Sequence, residues 1–341
     1  MKRIPSLCHC FRAVLLLASI PAIGHADTEA FTEPVAILPI KVNGGTVASP
    51  TLSAIAPTLV HPVSWRGPVA AVSGTVLSVA EGNWVAGDFS GTNGSFYLEI
   101  IDGSNAGRWS TITACGEDNI TTSDDLSGLL SIGTTISIRK HVTVDDFLGA
   151  ANTAGLQGST SLYSADEVLI YNGSKATTCW YLNKTSKAGW YTASGSAAGS
   201  LVIAPNQGII VKRKTASTVG FVTAGTVKTG QTALLIQPGV NVVGSISAQN
   251  MSLSSSGLYT GDVSTGVKGS TSMASADQLV IYGDSGQSTY WYLAHPSNSS
   301  LSGWYNAKAQ SSGSVSIAPG SAVVIQRLSS QSSFQWVVPA F

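Results

Sequence analysis

Short apolar runs alternate along this chain with clusters of Gly, Ser, Thr, Asn and Pro. Val168-Leu169-Ile170-Tyr171, Leu279-Val280-Ile281-Tyr282 and Ile209-Ile210-Val211 are β-branched or aromatic and end at such clusters. Phe96-Tyr97-Leu98-Glu99-Ile100-Ile101 and Thr135-Ile136-Ser137-Ile138-Arg139 read the same way, with Gly103 and Gly107 flanking the turn after the former. Many short strands punctuated by turn residues predict an all-β protein of sandwich-like or barrel-like modules. No helical period stands out beyond the N-terminus, apart from a turn around Asp145-Asp146-Phe147-Leu148-Gly149.

The N-terminus follows a different pattern. Lys2, Arg3 and Arg12 precede the apolar run Ala13-Val14-Leu15-Leu16-Leu17-Ala18-Ser19-Ile20, and small residues lead to Gly24-His25-Ala26. This predicts a secretory signal peptide over residues 1–26, cleaved after Ala26. The run is too short to span a bilayer, and no later run is long enough. Cys8 and Cys10 lie ahead of the run, which argues against a lipoprotein anchor. At the other end, Gln335, Ser333 and Pro339 break the alternating lipid face of a membrane barrel strand, so Trp336-Val337-Val338 reads as a closing strand. The expected location is the periplasm, the outer cell surface or the extracellular space, with no integral membrane segment after cleavage.

Self-similarity sets the domain organisation. Residues 158–171 match residues 269–282 at an offset of 111, which holds through Trp180-Tyr181-Leu182 and Trp291-Tyr292-Leu293. The offset becomes 114 at Gly189-Trp190-Tyr191 and Gly303-Trp304-Tyr305, and stays so through Ile203-Ala204-Pro205 and Ile317-Ala318-Pro319 to Arg213 and Arg327. A tandem duplicated module explains this. Strand-like segments at residues 33–38, 218–222 and 334–338 lie before, between and after the copies, which suggests strands shared at the boundaries. The predicted organisation is a first β-module over 27–66 plus 149–216, an inserted small β-domain over 67–148, and a second module over 217–341. Such an insertion is tolerated at an exposed loop because lengthening a loop costs little closure entropy.

Charge narrows the partners. Charged residues are 11% of the chain, against about 25% in ordinary soluble proteins. The signal peptide takes Lys2, Arg3 and Arg12 and no acidic residue, so 15 basic and 18 acidic residues remain and the mature balance is −3. That excludes a nucleic-acid footprint or a polybasic membrane patch, and a weakly charged surface repels its own copies little. Of the cysteines, Cys115 and Cys179 survive processing; an oxidising compartment permits a bridge, and the repeat places Tyr290 opposite Cys179.

Several blocks carry a family resemblance. Glu33-Pro34-Val35, Gly74-Thr75-Val76-Leu77-Ser78-Val79 and Gly107-Arg108-Trp109-Ser110-Thr111-Ile112-Thr113 join the Ala-Asp…Ile-Tyr, Trp-Tyr-Leu and Gly-Trp-Tyr blocks. In these the chain resembles an uncharacterised family of paralogous secreted proteins described from Verrucomicrobium and its relatives. The resemblance implies secretion and supplies no catalytic residues.

Catalytic chemistry finds little support. His61, His141 and His295 are far apart, and no His-x-x-x-His, Cys-x-x-Cys or Gly-x-Ser-x-Gly segment stands in a supporting context. The carboxylates Asp124-Asp125 and Asp145-Asp146 read as loop residues, while Asp166 and Asp277 stand where a carboxylate accepts nearby backbone N–H groups. No metal and no cofactor is expected. The recurring aromatics are the functional lead: Trp190, Trp304, Tyr181, Tyr191, Tyr292 and Tyr305 are the candidate ligand contacts. One ring of each pair belongs in a core, and the outward ring, expected to be the tyrosine, is free to stack on a sugar. The expected function is a non-catalytic exported structural or cell-surface protein that assembles with itself. An extracellular carbohydrate-binding module comes second and a polysaccharide-acting enzyme third.

Overall fold

The computed structural model describes residues 33–80, 82–245 and 247–338; the expected signal peptide lies outside the described residues. Among the described residues strand makes up 45% and helix 5%, so the fold is all-β. Among the described residues no helix is long and apolar enough to cross a membrane.

One five-stranded antiparallel sheet runs, in hydrogen-bonding order, Gly189–Thr192, Lys175–Leu182, Glu167–Asn172, Ile209–Arg213 and Thr51–Ile55. The second runs Gly303–Asn306, Gly286–Leu293, Gln278–Gly283, Ala322–Arg327 and Gly239–Gly244, so the similar sequence blocks occupy matching strands. Alternation explains the layers. In the first sheet Val168, Ile209 and Val211 point to a core closed by Ile40, Val42 and Phe221 of a two-stranded ribbon, Val35–Val42 paired with Val219–Thr226. In the second, Leu279, Val323 and Ile325 face Ile236, Phe334 and Trp336 of the ribbon Thr232–Ile236 with Phe334–Val338. No boundary strand is shared. Val219–Thr226 pairs wholly with Val35–Val42, so it closes the first half, whereas the boundary expected at residue 217 assigns it to the second.

The remaining strands form a closed barrel in the order Val63–Ser73, Val76–Val79, Asn119–Thr122, Trp109–Cys115, Phe96–Ile100, Thr135–Lys140. Phe96, Leu98, Ile100, Ile136 and Ile138 fill it, and their odd-even neighbours face outward. Val63–Ser73 pairs with a different strand on each half of its length, with a register shift on each side, and that closes the ring. The barrel spans 63–140 rather than 67–148. Val142–Thr143 instead pairs with Val202–Ile203, and the short helix Val144–Leu148 buries Val144, Phe147 and Leu148 in the first core. Asp146, expected in a loop, closes a capping box with Thr143.

The outer faces of the two sheets pack against each other through Ala54, Ala56, Ile210, Val242, Val280 and Val324. Their contacts are reciprocal. Ile55 bridges to Ser321 and Val243 to Gln207; the Ala56 N–H donates to Gly320 O and the Gly244 N–H to Asn206 O, both at 2.9 Å. Gly208 and Ala322 stand at matching positions 114 residues apart and meet each other, as do Ala56 and Gly244. A Cβ on Gly208 would lie 2.4 Å from that of Ala322, and one on Gly244 2.5 Å from that of Ala56. Each meeting point thus admits one methyl group. The first half supplies Ala56 and Gly208, the second Gly244 and Ala322, so two first halves or two second halves would collide.

Within each half a buried carboxylate ties strand to loop. Asp166 Oδ2 accepts from Arg213 Nη1 at 2.5 Å and from the Gln157 N–H at 2.7 Å, and Oδ1 accepts from the Lys214 N–H. Asp277 repeats this with Arg327 Nη1 at 2.9 Å and with the N–H groups of Lys268 and Leu328. Acceptance from the backbone agrees with the sequence reading; the arginine is the addition.

Two outcomes follow for chemical unfolding. Asp277→Asn leaves Arg327 buried without its counter-charge and should cost about 3–5 kcal/mol, read as a lower midpoint in chemical denaturation. Gly208→Ala should cost about 1–3 kcal/mol by overpacking, and adding Ala322→Gly should recover most of it; additive losses in the double variant would sink the one-methyl account.

Candidate functional site: the cleft between barrel and sheets

Of the expected aromatic contacts, the two tryptophans are buried and the four tyrosines half-buried. Trp190 and Trp304 are each 3% exposed, and Trp190 Nε1 donates to Gly149 O at 2.8 Å. Tyr181 and Tyr292 were the rings expected to face outward, yet they sit edge-on to these tryptophans at 5.3 and 5.6 Å, with Tyr292 also stacked on Tyr259. Cross-strand register explains the correction: Tyr181 lies opposite Trp190 and Tyr292 opposite Trp304, so each pair shares the core face. Tyr191 and Tyr305 do take the other face, half-buried beside Trp180 and Trp291. None of the six lines the cleft described next. Cys115 and Cys179 are free and lie in separate cores, so no bridge joins them; burial pushes the Cys179 thiol up to about 11.

A cleft opens where the barrel meets both sheets. Its inner chamber, about 400 Å³, is walled by Trp109 of the barrel, Tyr171 and Asn206 of the first half, and Gln335 of the second. An outer chamber of about 530 Å³ continues along the second half past Thr260, Ser264 and Thr265, and Arg108, Leu235 and Gln335 border both. Apart from Arg108, the charged wall is Asp124, whose Oδ2 already accepts from Ser110 Oγ at 2.6 Å and Ser123 Oγ at 3.0 Å.

Local backbone places these groups. Gly107 has φ +84°, and a Cβ there would lie 2.5 Å from Gln231 O, so only glycine lets the segment linking the two halves approach the barrel. The Ala233 N–H donates to Gly107 O and Gln231 Nε2 to Ala106 O, which fixes the following Arg108 and Trp109 at the cleft mouth. Asn206 adopts φ +60° in the loop before Ile209–Arg213, and its carbonyl accepts across the sheet interface from Gly244. Its side-chain Nδ2, like Gln335 Oε1, is buried and has no hydrogen-bond partner among the described residues. The Arg108 guanidinium has no ion pair or hydrogen bond among the described residues.

Behind Trp109 lies a buried polar layer on the barrel's outer face. Arg139 pairs with Glu33 and lies 3.8 Å from Glu99, which pairs in turn with Lys228 of the linking segment. These alternating charges bind the barrel to the segments that precede and follow the first half. His141, 1% exposed, packs on Tyr97 and Trp109, with Nε2 3.2 Å from Thr111 Oγ1 and Nδ1 unpartnered. Arg108 and Trp109 belong to a block that the sequence shows only as a motif. Their role as a pair after a turn glycine emerges once Gln231 is seen against Gly107.

Burial pushes the His141 pKa down to about 4. Between that value and the unfolded value near 6.5, the unfolded chain holds a proton that the folded chain does not, so stability is full above about pH 6.5 and falls on acidification. The loss by pH 4 should be about 3 kcal/mol, and His141→Gln should flatten the slope of stability against pH across this window. An unchanged slope would assign the acid sensitivity elsewhere. No known family profile, no curated protein and no solved structure matches this chain.

Proposed function

We propose that the chain is an exported, non-catalytic protein that binds an extracellular carbohydrate in the junction cleft, with its two sheets arising from one duplicated module. The resemblance to an uncharacterised secreted family is part of the same reading. The observation that carries it is the pair of unpartnered side-chain amide atoms, Asn206 Nδ2 and Gln335 Oε1, beside a chamber also walled by Trp109 and Tyr171. A buried amide without a partner costs free energy unless something supplies the missing bond. A sugar hydroxyl donates and accepts, so it answers both a vacant amide donor and a vacant carbonyl, while an aromatic ring offers its face to the apolar side of the sugar. The elongated, hydroxyl-lined outer chamber extends the same chemistry to a second or third sugar unit.

A second reading, a self-assembling structural protein, is favoured by the ribbon Val35–Val42 with Val219–Thr226. There Val35, Ile37 and Val222 are 76%, 69% and 69% exposed on a sheet of only two strands. Exposed apolar strands of this kind invite pairing with another copy.

Affinity electrophoresis in gels cast with different polysaccharides separates the readings. Trp109→Ala should weaken retardation about tenfold, a loss of about 1.4 kcal/mol, while Tyr191→Ala should leave it unchanged. Ordered filaments that vanish in Ile37→Lys, without retardation in any gel, would instead favour assembly.

A further inference from the structure

Resting on the carbohydrate reading, we infer that the cleft is specific for an acidic polysaccharide, one whose sugar carboxylate is held by Arg108. The chain carries few charges, and its buried arginines are spoken for: Arg213 pairs with Asp166, Arg327 with Asp277, and Arg139 with Glu33. Among the described residues Arg108 has no such partner, although it is half-buried and borders both chambers. A guanidinium offers five N–H donors in a planar fork that matches a carboxylate in two parallel bonds.

The other cleft-lining charge does not cancel it. Asp124 borders only the inner chamber and is committed to two serine hydroxyls of the barrel wall, whereas Arg108 stands at the junction of the chambers. Everything else the outer chamber presents is uncharged: hydroxyls from Thr260, Ser264, Thr265 and Ser333, the Gln335 amide, and apolar groups. A single cation among neutral hydrogen-bonding groups fits a chain of sugars in which one unit at a fixed place carries a negative charge. A polyphosphate or a nucleic acid, charged at every unit, would find one cation and no more. Backbone bonds place Arg108 independently of its side chain, since its N–H donates to Asn105 O and its carbonyl accepts from the Ile100 N–H. Substitution there should therefore leave the fold intact.

The test uses the full mature chain and two probes with the same backbone, hyaluronan, in which a glucuronate alternates with a neutral sugar, and its carboxyl-reduced, neutral form. Calorimetry at low salt should show the acidic polymer bound at least tenfold more tightly, with the preference shrinking as salt rises. Arg108→Gln should bring binding of the acidic polymer down to that of the neutral one; Arg108→Lys should keep part of the preference. Equal binding of both polymers by the native chain would overturn the acidic specificity while retaining the carbohydrate site. Binding of neither would overturn both, and a preference that survives Arg108→Gln would overturn the assignment to Arg108.

Discussion

A carboxylate taken out of water must be met by donors on every side, and that requirement organises each half of this molecule. Asp166 lies at the foot of its central strand with no exposed side chain, and it is satisfied only when two separate chain segments converge on it. The loop at Gln157 and the end of the neighbouring strand at Arg213 and Lys214 supply the donors. Arg213 is in turn held by Ser217 O, as Arg327 is by Ser332 O, so the turn leading to the next strand is drawn into the same network. The pair adds little net stability over an apolar substitute, because desolvation offsets its Coulomb energy. Its effect is geometric: any arrangement that fails to bring these segments together leaves a buried charge unpaired.

With both sheets braced in this way, the way they meet is limited. Two similar faces pack about matching positions, as in a two-fold dimer, yet each place where the halves meet on equivalent residues holds one alanine and one glycine. The halves are complementary rather than identical. That asymmetry fixes which half faces which, and it keeps the linking segment on one side, where Gln231 and Lys228 reach the barrel. The barrel hangs from the first half alone, but its outer charges engage Glu33 before the first half and Lys228 after it. The cleft is what remains between three bodies fixed in this order.

Legibility in the sequence followed the range of the interactions. Strands and turns were readable because alternation and glycine punctuation are local, and Asp166 and Asp277 were readable as backbone acceptors for the same reason. Their arginine partners lie 47 and 50 residues away, too far for any spacing rule to pair them. The aromatic blocks show the limit of alternation. It separates Trp180 from Tyr181 correctly, but register with the neighbouring strand decides which face is core, and that put Tyr181 inside with Trp190. The barrel edges moved for a related reason: residues 142–148 adjoin the insertion in sequence, while their apolar side chains are needed by the first core. The cleft had no local signature, since Arg108, Asn206 and Gln335 come from three distant segments.

The position of the cleft also bears on what the two matching sheets are for. Two copies of a binding face would offer avidity if each carried its own site. Here the aromatic blocks that recur in both halves are core or half-buried packing, while the cleft needs Arg108 and Trp109 from a barrel inserted into one half. The halves contribute to it unequally: the first supplies Tyr171 and Asn206, the second the Phe334–Val338 strand and the Thr260–Thr265 loop. Among the described residues the walls of this cleft come from both halves at once. The second half then serves as the far wall of a cleft that the first half and the barrel leave open. Loss of the sandwich interface would therefore remove the site even though every side chain in it remained.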